Sequence, residues 1–219
     1  MQGTVVLLRR VVTALTLMAA VMLGFTTVSM KASFDSADRD VKHLSSQIVE
    51  FDRALRRIGP EAAPTRDLLF RYTIRIIKDT WPERHIRLPV GPAGPGELRE
   101  KLRTSLDALT AIVPAKRQAI TEARSILLDI IATRLIIFES SGSTWSPWII
   151  GTLIGWLMLA FGSLGLTAPP SPIVVASLLL LAIALGSAAF LTKEFDDPFS
   201  GVIVVSSSPM ESALFTLTE

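Results

Sequence analysis

The sequence predicts an all-α membrane protein with three transmembrane helices and a cytoplasmic helical bundle, the first membrane helix continuing into the bundle. Three observations lead there. Apolar residues make up 49% of the chain, more than a soluble domain of this size usually holds. They concentrate in three uncharged runs, residues 11–30, 148–166 and 173–191, each close to the ~20 residues a helix needs to cross a bilayer. The polar remainder has helix-length apolar stripes and no period-2 stretch of note, which argues for an all-α domain.

The first span is assigned to residues 1–30. Arg9 and Arg10 precede its apolar core and can snorkel to the headgroups. Such a pair would also suit a signal peptide, but the run is longer than a usual h-region and no A-x-A site follows, so a retained span is expected. The apolar pattern continues past Lys31. Met30, Phe34, Ala37, Val41, Leu44, Ile48, Phe51, Leu55 and Ile58 alternate in spacing between four and three residues, an a/d heptad seam. No Gly, Pro or cap cluster interrupts it before Gly59, so one rod is expected to run from the membrane into the bundle. The seam is longer than a single return helix can cover, which predicts that part of it meets other subunits.

Gly59-Pro60 ends the rod, because Gly suits a C′ position and Pro cannot continue the hydrogen-bond ladder. Residues 66–81 then read as a returning helix with Leu68, Leu69, Tyr72, Ile76 and Trp81 on its stripe. Residues 82–96 are rich in Pro and Gly and read as an irregular connection. The next helix starts near Glu97 and carries Leu98, Leu102, Leu106, Leu109 and Val113; Pro114 should kink or break it. The stripe resumes through Ile120, Leu127, Ile130 and Ile131 to Phe138.

Residues 31–146 form one domain by this reading, holding most of the 22 Lys and Arg and most of the 20 Asp and Glu. The small basic surplus is not a nucleic-acid footprint, which needs basic residues clustered with little acid among them. It predicts a cytoplasmic location instead, with Lys31, Arg39 and Lys42 beside the span carrying most of the weight. Trp145 and Trp148 mark the return to the interface. Residues 147–192 read as a hairpin of the second and third spans, with Gly151, Gly155 and Gly162 as a small-residue face. The tail, 193–219, should be cytoplasmic. It opens on a turn cluster at residues 196–201, and strand, helix and coil all remain open for residues 202–219.

Signatures of catalysis are missing. There is no cysteine, hence no thiolate ligand or Cys nucleophile. His43 and His85 stand far apart, outside any metal-ligand spacing. No G-x-S-x-G and no phosphate-cradling glycine loop occurs. Glu97 and Glu100 look like a solvated helix face, and Asp196-Asp197 like interfacial solvation and capping. Neither an enzyme, a cofactor nor a metal is expected. No ionisable residue lies between positions 11 and 30 or between 146 and 192, which argues against a pump or proton-coupled transporter. A pore with apolar lining, a membrane scaffold and an accessory subunit remain.

Several stretches, taken in order, resemble the bestrophin-like membrane family of bacteria. They are Leu23-Gly24-Phe25, residues 31–35 (KASFD), residues 59–62 (GPEA), Arg71-Tyr72, Trp81-Pro82 and Asp197-Pro198-Phe199-Ser200-Gly201. The more distant bestrophin chloride channels are similar in having Gly-Phe on the pore helix and Pro-Phe near the last span. The resemblance implies an anion (chloride) channel subunit in the plasma (inner) membrane, multi-pass, assembled as a homo-oligomeric ring, a pentamer by analogy. Its partners would be the lipid bilayer and anions such as chloride. It also implies a pore neck built from large apolar side chains one helical turn apart, here Leu17, Val21 and Phe25. A ring of this kind can gate by dewetting, and the weakly positive edges of Phe rings favour anions. The family motif after the last span would be Asp197, Pro198, Phe199 and Gly201. The likeness has two gaps: bestrophins have four spans where three are legible here, and Val202–Val205 replaces their acidic calcium clasp, so it does not extend to calcium activation. The alternative is a non-conducting scaffold or sensor whose helical domain binds a partner.

Overall fold

A computed structural model describes residues 2–82, 94–109, 114–140, 147–167 and 171–218, and among these residues every regular element is a helix. In order they are α1 (Gln2–Ile58), a 3₁₀ turn (Pro60–Ala62), α2 (Ala63–Thr80), α3 (Pro95–Asp107), α4 (Pro114–Ser140), α5 (Pro147–Thr167), α6 (Pro172–Asp196) and α7 (Ser208–Thr218).

The expected rod is present. α1 runs unbroken for 57 residues, about 85 Å at 1.5 Å per residue. Gly59 ends it with φ at 111° and its N–H on the Leu55 carbonyl, a left-handed C′ geometry that favours glycine. A Cβ there would sit 2.8 Å from Glu61 Oε2. Pro114 breaks rather than kinks the predicted stripe: α3 ends at Asp107 and α4 begins with Pro114, where the missing N–H is harmless. Leu109 therefore falls beyond α3, half-buried, and Val113 lies outside the described residues.

The chain divides into two compact units. Unit 1 holds Met1–Phe34 and Ser143–Asp197, so it contains the start of α1 with α5 and α6. Thr27 and Thr192 share a hydrogen bond of 2.9 Å, and the rings of Phe34 and Phe195 meet edge to face at 5.5 Å. Ser171 caps α6 by accepting from the Val174 N–H. Among the described residues two helices are long and apolar enough to cross a bilayer, α1 over the stretch from Thr16 and α6 over Pro172–Asp196. In α5 the described apolar run is the shorter Ile154–Ser163. Among the described residues, no side chain comes within 4 Å of a Cβ built on Gly151, Gly155 or Gly162.

Unit 2 holds Asp35–Gly142 and Pro198–Glu219. The seam of α1 is its spine: Ala37, Val41, Leu44, Ile48, Phe51, Leu55 and Ile58 are all buried. From Ala37 to Ile58 the seam is covered within one chain, while Met30 and Phe34 stay half-buried. The reason is α7. Ser45 Oγ donates to the Pro209 carbonyl at 2.6 Å, and Met210, Ala213 and Leu217 are buried. α2 contributes Leu69, Tyr72, Ile76 and Ile77, α3 contributes Leu98, Leu102 and Leu106, and α4 contributes Ile120, Ala123, Leu127 and Ile130. Phe138, expected on the buried stripe of α4, is instead 72% exposed, and Ile137 takes the inward place.

Candidate functional site

Two places carry the residues singled out by the sequence. The first is the start of α1. Leu17, Val21 and Phe25 succeed one another at one-turn intervals and are 61%, 69% and 77% exposed, while Ala19 and Leu23 are buried. A helix packs one stripe and leaves the other free; here the free stripe has the larger side chains. Such a face is suited to apolar surroundings such as lipid or another apolar helix. Gly24, beside Phe25, has open space around it.

The second place is the segment after α6. Asp197 is the C-cap residue of α6. Pro198 starts a turn closed by a 2.8 Å bond from the Val205 N–H to the Pro198 carbonyl, and Gly201 has φ of 100°. Phe199 is buried with its ring edge-on to Trp81 at 5.6 Å. Trp81 Nε1 in turn donates to the Val205 carbonyl at 2.8 Å. The turn is thus held on the end of α2 by one indole that uses both its ring and its N–H. Two motifs far apart in sequence, Trp81-Pro82 and Pro198–Gly201, form one assembly within unit 2. α7 follows directly, with Ser207 donating to the Glu211 carboxylate at its start.

Sequence reasoning missed a charged cluster beside the seam. Asp52 is 2% exposed and accepts from Arg56 Nε and from Arg66 Nε, each at 2.6 Å. The same arginines reach the Thr216 and Leu217 carbonyls at the end of α7, where cations suit the orphan acceptors of a helix terminus. The available signal was the carboxylate adjoining seam residue Phe51 with an Arg four residues on. More exposed pairs flank it: Arg57–Glu122, Lys116–Glu61 and Arg124–Asp107. The hydrogen bond from Lys116 holds the Glu61 carboxyl below its ordinary pKa. His43 is exposed, and His85 lies outside the described residues.

The family model for the bestrophin-like domain matches residues 3–210. The chain belongs to the bestrophin-like family. That makes it a member of a bestrophin-type channel family. Crystal structures of a bacterial bestrophin homologue from Klebsiella pneumoniae share its fold. An isoleucine-to-threonine variant superposes with a TM-score of 0.73 at 16% identity, covering 95% of this chain and 87% of the other. A leucine-to-threonine variant gives 0.73 at 15%, covering 94% and 85%. An aspartate-to-alanine variant gives 0.72 at 16%, with the same coverage. Among curated proteins none matches.

Proposed function

We propose that this bestrophin-like protein is an anion channel subunit, conducting chloride through a ring of identical chains, with Leu17, Val21 and Phe25 as its hydrophobic neck. The observation that carries the reading is the free apolar face of α1. Three large side chains one turn apart stand exposed on a helix whose other stripe is packed. Repeated around a ring, they would make a constriction that water enters reluctantly, with Phe ring edges presented to a passing anion. Family membership supports the same reading. The arrangement we infer is multi-pass in the plasma (inner) membrane, with residues 1–30 as the first span, 147–192 as the second and third, and residues 31–146 and 193–219 in the cytoplasm. A pentamer is the ring size suggested by resemblance.

Chloride flux into liposomes holding the purified protein tests it. Phe25→Ala shortens the dewetted stretch and should raise flux several-fold, with chloride-over-sodium preference unchanged or weaker. Phe34→Ala removes the edge contact with Phe195 and should lower stability more than it alters permeation. Folded wild type and Phe25→Ala protein that both fail to exceed empty liposomes would overturn the channel and leave the scaffold.

A further inference from the structure

A cavity of about 220 Å³ opens in unit 2 where α2, α3 and α4 meet. Its polar lining is Tyr72, Arg99 and Arg134, and its apolar wall is Ile131, Leu135 and Phe138. Pro95 and Gly96, the first two residues of α3, complete the rim. That helix terminus adds a partial positive charge.

Tyr72 is the informative residue. It is 1% exposed, yet its hydroxyl has no hydrogen-bond partner among the described residues. It lines the cavity, where water or a ligand can supply the hydrogen bond that the protein does not. Arg99 has no ion-pair partner among the described residues either. Arg134 touches Asp79 only at 3.5 Å, and Asp79 also faces Arg75, whose Nε lies 3.0 Å from Oδ1. Asp79 is thus shared between Arg75 and Arg134, and the described lining of the cavity carries two guanidinium groups and no carboxylate. Apolar walls with a few convergent donors are the general form of a small-molecule site.

The geometry points to a binding site for a small organic carboxylate: the anionic group held by Arg99, Arg134 and the Tyr72 hydroxyl, the apolar body against Ile131, Leu135 and Phe138. Arginine suits the planar carboxylate because its N–H groups match it in pairs. The cavity has room for about seven waters at ~30 Å³ each, enough for a ring or short branched chain bearing one carboxylate and too little for a nucleotide. The site belongs to unit 2 and the proposed neck to unit 1, and its test does not need a conducting channel.

Ligand-observed fluorine NMR of the full chain in detergent, with 4-fluorobenzoate as probe, decides it. Wild type should broaden the signal saturably, and 4-fluorobenzamide, the same shape without the charge, should bind at least tenfold more weakly. Arg99→Gln, at an exposed position where folding is not at risk, should weaken 4-fluorobenzoate about tenfold or more, the size expected for a lost charge-assisted bond. Tyr72→Phe removes only the unpartnered hydroxyl; it should weaken the probe several-fold while leaving the unliganded protein as stable as before or more so. Arg103→Gln, an exposed cation on the same helix but outside the cavity, should change nothing. No saturable binding to wild type, equal binding of the amide, or equal loss in Arg103→Gln and Arg99→Gln would each overturn the site.

Discussion

The two units use the same kind of residue in opposite ways. In unit 2 the large apolar side chains of α1 turn inward: Phe51 is fully buried and Ile48 and Leu55 with it. In unit 1 those on the same helix turn outward, with Leu17, Val21, Phe25 and Val28 exposed, as are Leu166, Ile173 and Leu180 on α5 and α6. One helix therefore passes from a stretch whose apolar face needs surroundings other than water to a stretch that closes its own core. Hydrophobicity alone does not separate the two; the position of the polar residues does. From Asp38 to Arg57 the outer face of α1 carries Arg39, Lys42, His43, Ser46, Glu50, Arg53, Arg56 and Arg57, whereas between Arg10 and Lys31 it carries no charged residue or histidine.

The strongest way to break the contrast is to truncate one Phe in each unit. Phe51→Ala should cost about 3–5 kcal/mol by removing buried contacts and leaving a cavity, while Phe25→Ala should stay within about 0.5 kcal/mol; chemical unfolding of the whole chain in detergent, followed by circular dichroism, checks both. Comparable losses would mean that Phe25 is packed after all. A somewhat smaller effect is expected from Asp52→Asn. The carboxylate is buried, but its arginine partners are 40% and 31% exposed, so the loss should be about 2–3 kcal/mol rather than that of a fully buried pair.

Trp81→Phe sharpens the comparison further, because it keeps a ring against Phe199 while removing the N–H to the Val205 carbonyl and part of the buried indole. About 1–2 kcal/mol should go, and amide exchange should quicken across residues 198–207 while α5 and α6 stay unchanged. The smallest effect is alkaline. Burial raises the pKa of Tyr72 above its ordinary value of 10.0, with Arg134 and Arg99 opposing the shift. The unfolded chain then loses its phenol proton first. Stability from this group is complete below pH ~10 and declines as pH rises through the folded-state value. Tyr72 is the chain's single tyrosine, so the difference between wild type and Tyr72→Phe in alkaline unfolding isolates it. Parallel curves would contradict a buried phenol.

Much of this architecture was legible because it rests on periodicity. The heptad spacing through Ile58 gave the length of α1, and Gly59-Pro60 gave its end. The stripe on α2 was read correctly for the same reason. What escaped depends on contacts between segments far apart in sequence. Nothing local to residues 202–219 says helix until Met210, Ala213 and Leu217 are seen to complete the core against α1 and α2, so the seam looked too long for one chain to cover. Trp81 and Phe199 were each visible as motif residues, but 118 positions separate them, and no spacing rule brings them together. Phe138 failed in the other direction: the helical period pointed it inward, and the last turns of α4 present Ile137 instead. The exposed face of Leu17, Val21 and Phe25 was legible only through resemblance, since the span is apolar all round.

The late position of α7 also bears on how the protein is made. Leu44, Ile48 and Phe51 leave the ribosome long before Met210, and α5 and α6 are synthesised in between. At ~5–20 residues per second, the wait from Gly142 to Met210 is on the order of several seconds. Throughout it the spine of unit 2 is a half-covered apolar groove, longer-lived than helix formation by orders of magnitude. A nascent chain in that state is a substrate for chaperones and proteases, and a message truncated before Ser208 would leave it there permanently.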